Sequence, residues 1–240
     1  RILQTTMAVN PSIKQIEAAD AVLVFGEDVT NTAPRVALAL RQSVRNKSFE
    51  LAEQMGLPHW QDAAVRNLAQ DQRSPLVIVS AMDTRLDDVA SQCISLAPDQ
   101  IADFGVSIVE ALAGEPSSNQ QANQIAEILQ SAKNPLIVSG SSMLNWGIVN
   151  SAVAIAESLC GEQSGAMLSL CVPESNSLGL ALLVDKATLS LSDLVNSPPE
   201  VLLVMENDLE RRLNAQQMQQ LMAALYDAHL ARLYFQQDRM

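Results

Sequence analysis

The sequence predicts an α/β protein whose parallel, Rossmann-like sheet is covered by helices. Short aliphatic runs alternate along the chain with longer amphipathic stretches, and each run ends in small or polar residues before a helical pattern begins. Apolar residues make up 48% of the 240 residues but aromatic residues only 3%, so the core is aliphatic. Such a core suits parallel strands that are buried on both faces.

The first strand–loop–helix unit is the clearest. The run Ala21–Phe25 predicts a buried strand, and the polar stretch Gly26–Thr32 predicts a loop after it. Pro34 then opens a helical pattern, since the missing N–H of proline costs nothing in a first helical turn. A strand followed by a crossover helix and another strand predicts parallel pairing.

The same pattern recurs along the chain. Four further runs predict strands: Leu76–Val79, Leu136–Val138, Ala166–Leu170 and Val201–Met205. Other segments predict helices: Phe49–Met55, Trp60–Gln70, Ile101–Ala113, Gln121–Ser131, Ile148–Leu159 and Ala215–Leu225. The stretch Gly114–Asn119 has the composition of a linker, so we predict two α/β segments, 1–115 and 116–240, or alternatively one shared domain.

Charge and cysteine content exclude several classes of function. The net charge of −12 repels phosphate backbones and opposes nucleic-acid binding. Three cysteines without a C-x-x-C pair predict core thiols in a reducing compartment. The aliphatic runs are far shorter than the ~20 residues of a membrane span. Because the chain starts at Arg1 without an initiator Met, we expect it to be a fragment.

Ligands of parallel sheets bind at the carboxyl ends of the strands, which directs attention to five loops. These loops are Gly26–Thr32, Ser80–Arg85, Ser139–Ser142, Pro173–Ser177 and Glu206–Asp208. No loop carries G-x-G-x-x-G or G-x-x-x-x-G-K-[ST], the usual phosphate-binding patterns. Their acidic residues suit a metal or a ribose hydroxyl, but in an acidic chain they are more typical of helix N-terminal caps.

No catalytic or metal-binding set is evident elsewhere. His59 and His229 are the only histidines, and neither has a second ligand at metal-binding spacing. His59 is expected to be a surface or capping residue. The segment Ser139–Ser142 lacks the order of a nucleophile elbow. The sequence therefore predicts no catalytic, cofactor-binding or metal-binding residues.

A resemblance to a known family begins at Asp20–Val44, which reads DAVLVFGEDVTNTAPRVALALRQSV. This segment is similar to the G subunit of bacterial NADH-quinone oxidoreductase, the large peripheral-arm subunit of respiratory complex I. The similarity lies in the C-terminal part of that subunit, which has the fold of molybdopterin oxidoreductases. Weaker matches follow in family order at Asp83–Ala90, Lys133–Gly140, Asn176–Gly179 and Val204–Leu209.

The resemblance implies domains like those of formate dehydrogenase and dimethylsulfoxide reductase. Six residues would occupy the positions that hold the pterin dinucleotide in molybdoenzymes: Gly26, Glu27, Asp83, Arg85, Glu206 and Asn207. However, Thr84 stands where the family usually has Pro, and Asp208 stands where Asn-Pro is common. These departures disfavour cofactor binding, and the resemblance implies a subunit that kept the fold and lost the cofactor.

The resemblance also implies a cellular role. The fragment would be a non-catalytic structural part of a respiratory-chain oxidoreductase that transfers electrons from NADH to quinone. It implies no cofactor in the fragment, with iron–sulfur clusters upstream in the full-length subunit. The implied partners are other peripheral-arm subunits, on the cytoplasmic face of the bacterial inner membrane. The alternative is a fragment of a genuine molybdopterin-dependent oxidoreductase.

Overall fold

A single parallel sheet organises the first part of the protein. The computed structural model describes residues 6–115, 117–161, 165–172, 176–184, 188–204 and 208–227. Its strands lie in the order β3-β2-β1-β4-β5 and are all parallel. Their bounds are β1 Ala21–Phe25, β2 Leu76–Ser80, β3 Gln92–Ser95, β4 Pro135–Gly140 and β5 Met167–Cys171. The predicted parallel α/β class is confirmed.

Helices fill most of the connections. Before β2 they are α1 Ile13–Glu17, α2 Val29–Thr32, α3 Pro34–Ser43, α4 Asn46–Gln54 and α5 Asp62–Ala69. After β3 they are α6 Pro98–Leu112, α7 Gln120–Ser131, α8 Trp146–Ser158, α9 Ser177–Leu183, α10 Leu191–Asn196 and α11 Ala215–Asp227, with a 3-10 turn at Leu209–Arg211. The six helices predicted from periodicity are confirmed, with ends shifted by up to three residues.

Strand β1 is buried on both faces because helices cover both sides of the sheet. Leu23 and Phe25 face a core that contains residues of α6, α7 and α8. Val22 and Val24 face a second core, to which α1 and α3 contribute. Alternate side chains of a strand point to opposite faces, so a continuous aliphatic run is required when both faces are covered.

One strand of the sheet, β3, was not predicted from the sequence, and the strand predicted at Val201–Met205 does not form in the described residues. Residues 201–204 are described outside any strand, and Met205 lies outside the described residues. Strand β3 takes the edge position beside β2 instead. Its sequence is Gln-Cys-Ile-Ser, and only Ile94 is buried. A short edge strand with one wet face has no continuous aliphatic run by which to recognise it.

The described chain divides into two compact units, 1–178 and 179–240. Strands from both sides of residue 115 lie in the sheet of the first unit, so the predicted division at 115/116 does not separate two sheets. The second unit has a small apolar cluster of its own, formed by Val195, Leu213, Leu221 and Leu225. Among the described residues, no helix combines the length and the apolar character that a membrane span needs.

Candidate functional site

The strand order places a topological switch point at the carboxyl ends of β1 and β4. Strand β1 is central, and the chain leaves it towards β2 on one side and returns to β4 on the other. In open parallel sheets, ligands bind in the crevice where the connections diverge in this way. Two of the loops singled out from the sequence, after Phe25 and after Gly140, meet here.

Gly26 makes the tight turn that follows β1. Its φ is +67°, in the left-handed region that favours glycine, and its N–H donates to the Val79 carbonyl at 2.8 Å. A Cβ on Gly26 would lie 2.4 Å from Cγ2 of Ile148 in α8. The glycine therefore serves two purposes: it permits the turn, and it lets helix α8 approach the strand end closely.

Glu27 lies at the switch point itself, and its side chain is turned into the protein. The residue is 1% exposed. Its Oε2 accepts a hydrogen bond from the Ser142 N–H at 3.3 Å, while its Oε1 is buried without a hydrogen-bond partner. A Cβ built on Gly140 would lie 2.0 Å from Oε2 and 2.8 Å from the carbonyl oxygen of Cys171. The carboxyl group thus fills the space that Gly140 leaves beside the end of β4.

The Cys171 thiol, which lies near Glu27, is kept in its protonated form. Burial raises the pKa of Cys171 to about 12, and the negative charge of Glu27 adds to the effect, while a hydrogen bond with Thr32 opposes it. Only the thiolate is a strong nucleophile or metal ligand. Cys171 is therefore an inert core residue, as the sequence predicted. Cys93 is not a core thiol, because it lies exposed on the edge strand β3.

Three other acidic residues in or next to these loops serve local structure. Asp28 accepts a hydrogen bond from the Thr30 N–H at 3.0 Å and caps helix α2. After β2, the turn is held by Asp87, which accepts from the Thr84 hydroxyl at 2.6 Å. Asp88 forms an ion pair with Arg41 at 2.7 Å. Capping by strand-end acids was predicted and is confirmed at Asp28.

Of the six residues implied by the resemblance, the structure describes Gly26, Glu27, Asp83 and Arg85. Asp83 and Arg85 are exposed in the loop after β2, whereas Glu27 is buried beside β4. Glu206 and Asn207 lie outside the described residues, as do His229 and three residues of the loop at 173–177. Within the described ranges, no three His, Cys, Asp or Glu residues are grouped to hold a metal ion.

His59 is a surface residue, as predicted. Its Nε2 lies 3.0 Å from Oε1 of Glu53, and its ring stacks on Phe49 with 4.7 Å between the ring centroids. The side chain is nearly half exposed. These contacts account for His59 without a ligand.

The exposure of two large apolar side chains after β4 is a feature that the sequence did not predict. The segment 141–146, here called the β4 loop, carries Leu144, which is 89% exposed at φ +50°, and Trp146, which is 72% exposed. Asn145 braces the loop: its Oδ1 accepts from the Gly147 N–H at 2.8 Å and caps helix α8. A pattern Leu-Asn-Trp before a helix signals the cap, but it does not show that both neighbours face solvent.

The fold and this site define a Rossmann-type α/β domain whose switch point is filled by its own glutamate. The G subunit of the NADH-quinone oxidoreductase of Pseudomonas fluorescens is 41% identical over 211 residues, which cover 84% of this chain and 23% of that protein. The G subunit of Pseudomonas putida is 39% identical over 89% of this chain, and that of Escherichia coli is 33% identical over 90%. The chain is therefore similar to one part of the G subunits of NADH-quinone oxidoreductases, and it spans about a quarter of the length of these curated relatives.

Two further comparisons add little to this assignment. No family model matches the chain. Among solved structures, one protein of the formyltransferase/hydrolase complex of Methylorubrum extorquens, crystallised with methylofuran, is similar over 70% of this chain and 41% of that one. That similarity has a TM-score of 0.46 at 13% sequence identity. The fold class rests instead on the strand order and the parallel pairing.

Proposed function

We propose that this chain is a non-catalytic structural segment of the large peripheral-arm subunit of an NADH-quinone oxidoreductase. It supports the transfer of electrons from NADH to quinone, through iron–sulfur clusters that other parts of the subunit hold. Its partners are the other peripheral-arm subunits, on the cytoplasmic face of the membrane. The similarity to the G subunits of three bacteria supports the assignment to the complex.

The observation that carries the non-catalytic role is the position of Glu27. Its carboxyl group occupies the space beside Gly140 and takes the N–H of Ser142, at the point where a parallel sheet of this order binds a ligand. An anionic ligand would meet a buried carboxyl there in place of free N–H donors. This arrangement supports the proposal that the chain holds no pterin dinucleotide.

The direct test is to measure the cofactor content of the natural full-length subunit, purified from the organism that produces it. Metal analysis and fluorescence of oxidised pterins are expected to find neither molybdenum nor pterin in stoichiometric amount. Iron and acid-labile sulfide measured in the same sample would report the clusters expected elsewhere in the subunit. Stoichiometric molybdenum with pterin would overturn the proposal in favour of a genuine molybdopterin-dependent oxidoreductase.

A second test examines the crevice in the isolated 240-residue chain. The melting temperature of the wild type is compared with and without GDP, which carries the nucleotide and diphosphate groups of a pterin guanine dinucleotide. A ligand that binds only the folded state raises the melting temperature, and the rise grows with the ratio of ligand concentration to dissociation constant. We expect no rise in the wild type. A concentration-dependent rise in the wild type would show that the crevice is open.

A further inference from the structure

We propose that the carboxyl edge of the sheet is an interface that another part of the same subunit polypeptide covers, with the β4 loop as its anchor. This inference rests on the proposed function, because it assumes that a longer subunit surrounds the chain. The exposed large apolar residues at this edge come from three loops. They are Met82 after β2, Leu144 and Trp146 after β4, and Val172 after β5, here called the apolar rim.

The exposure of the apolar rim is large. Met82 is 73% exposed and Leu144 is 89% exposed, and both belong to the first unit, which has two buried cores of its own. Single exposed apolar residues are ordinary on protein surfaces, but a group of them along one edge indicates an interaction site. Trp146 adds the residue type that contributes most often to the energy of protein interfaces.

The β4 loop is held in the conformation that displays these side chains. The Leu144 N–H donates to the Ser141 carbonyl at 3.0 Å, and the Asn145 Nδ2 reaches Oδ1 of Asp99, in the first turn of α6, at 3.4 Å. Leu144 keeps φ +50°, a left-handed backbone conformation that is unfavourable for a residue with a Cβ. The backbone of the loop is therefore pre-organised for binding, because its hydrogen bonds already hold Leu144 in the exposed position.

The length of the relatives supports the choice of occupant. The chain matches only 23–25% of the length of the G subunits, so about three quarters of such a subunit lies outside the matched part and is available to cover this edge. The rim is flanked by the exposed acids Asp83 and Asp99. The covering surface should therefore present apolar side chains with Lys or Arg around them. A separate subunit of the complex is the competing occupant.

Photo-crosslinking in the polypeptide as its own cell makes it tests the proposal. Benzoylphenylalanine is introduced in place of Leu144 and, as a matched control, in place of Trp60, which is 79% exposed before helix α5. The crosslinked peptides are identified by mass spectrometry. We expect the probe at position 144 to react with a segment of the same polypeptide outside these 240 residues, at a yield well above that of the control.

Each other outcome overturns the proposal. Crosslinks from position 144 to a different polypeptide would make another subunit the occupant. Yields at positions 144 and 60 that are equally low would mean that the rim is free. Cofactor analysis reports on the proposed function separately, so a molybdenum-containing protein with an internal crosslink at position 144 would refute that function and leave the interface standing.

A charge substitution provides a second measurement. Trp146→Glu is expected to leave the melting temperature of the isolated 240-residue chain unchanged, because the side chain is exposed there. In cells it should cause a loss of subunit recovered in the assembled complex, whereas Trp60→Glu should not. Equal recovery of the Trp146 and Trp60 variants would contradict the proposal.

Discussion

The turns after β1 and β4 meet at the same switch point, and each contains a residue with a left-handed backbone conformation, but the two turns use different residue types there. The β1 turn has Gly26 at its left-handed position, with φ +67°, and the next side chain, Glu27, is buried. The β4 loop has Leu144 at its left-handed position, with φ +50°, and displays that side chain to solvent. The first turn is optimised for packing within the domain. The second accepts strain to present an apolar group, which indicates a role outside the domain.

The largest expected effect tests the packing of the β1 turn. Gly26→Ala should destabilise the chain by about 2–5 kcal/mol, from left-handed strain of about 1–2 kcal/mol and crowding against Ile148 of about 1–3 kcal/mol. Gly56→Ala is the control, since Gly56 has φ +69° and no atom within 4 Å of the added Cβ. Equilibrium denaturation that gave equal losses for both variants would mean that α8 does not pack closely on this turn.

The next effect concerns the carboxyl group beside Gly140. Gly140→Ala should destabilise the chain by about 1–3 kcal/mol, because the new methyl group meets Oε2 of Glu27 and the Cys171 carbonyl. Combining it with Glu27→Ala should recover part of that loss, since the first of the two contacts disappears. A double-mutant cycle measured by denaturation should give a coupling energy of about 0.5–3 kcal/mol. Strict additivity would place Glu27 away from Gly140.

The third prediction is a gain in stability, in contrast to the loss expected for Gly26→Ala. Leu144→Gly should stabilise the isolated chain by up to about 1 kcal/mol, because glycine adopts a positive φ without the strain of a Cβ. Little packing is lost, since Leu144 is 89% exposed. In the assembled subunit the same substitution should reduce stability. Destabilisation of the isolated chain would show that Leu144 contributes to the domain itself.

The smallest effect is expected at the second exposed residue of the β4 loop. Trp146→Ala should change the free energy of unfolding by no more than about 0.5 kcal/mol, as is usual for surface positions. Trp60→Ala is the size-matched control, with a similar exposure. A loss of several kcal/mol at Trp146 alone would mean that this side chain packs within the domain.

Labelling of two of the three free thiols, Cys171 and Cys93, sharpens the contrast between interior and edge. Cys171 should react only after unfolding, because burial and the charge of Glu27 raise its pKa to about 12 and keep the thiol protonated at neutral pH. Cys93 is exposed on β3 and should react in the folded chain, although burial and the charges of Asp87 and Asp83 raise its pKa as well. Its rate should therefore increase with pH. Mass spectrometry after timed alkylation would measure both rates.

Much of the fold could be predicted because the strongest patterns are local. The run Ala21–Phe25 and the helix after Pro34 follow from burial on both faces and from a period of 3.6 residues. Strand β3 could not be predicted in this way, because its four residues carry no hydrophobic pattern and are recognisable as a strand only by their pairing with β2. The run at 201–204 shows the opposite case, in which an aliphatic composition does not form a strand.

The candidate site could be located from the sequence but not characterised. The loops after Phe25 and Gly140 follow from the rule that ligands bind at strand carboxyl ends. The sequence also determined the class of the protein, since hydrophobic periodicity specifies most of the buried strands and the amphipathic helices. Only the tertiary structure decided that Glu27 fills the space beside Gly140 and that Leu144 faces solvent. The direction of a loop side chain depends on which residues the neighbouring strands place beside it. The spacing of residues along the chain does not specify those contacts.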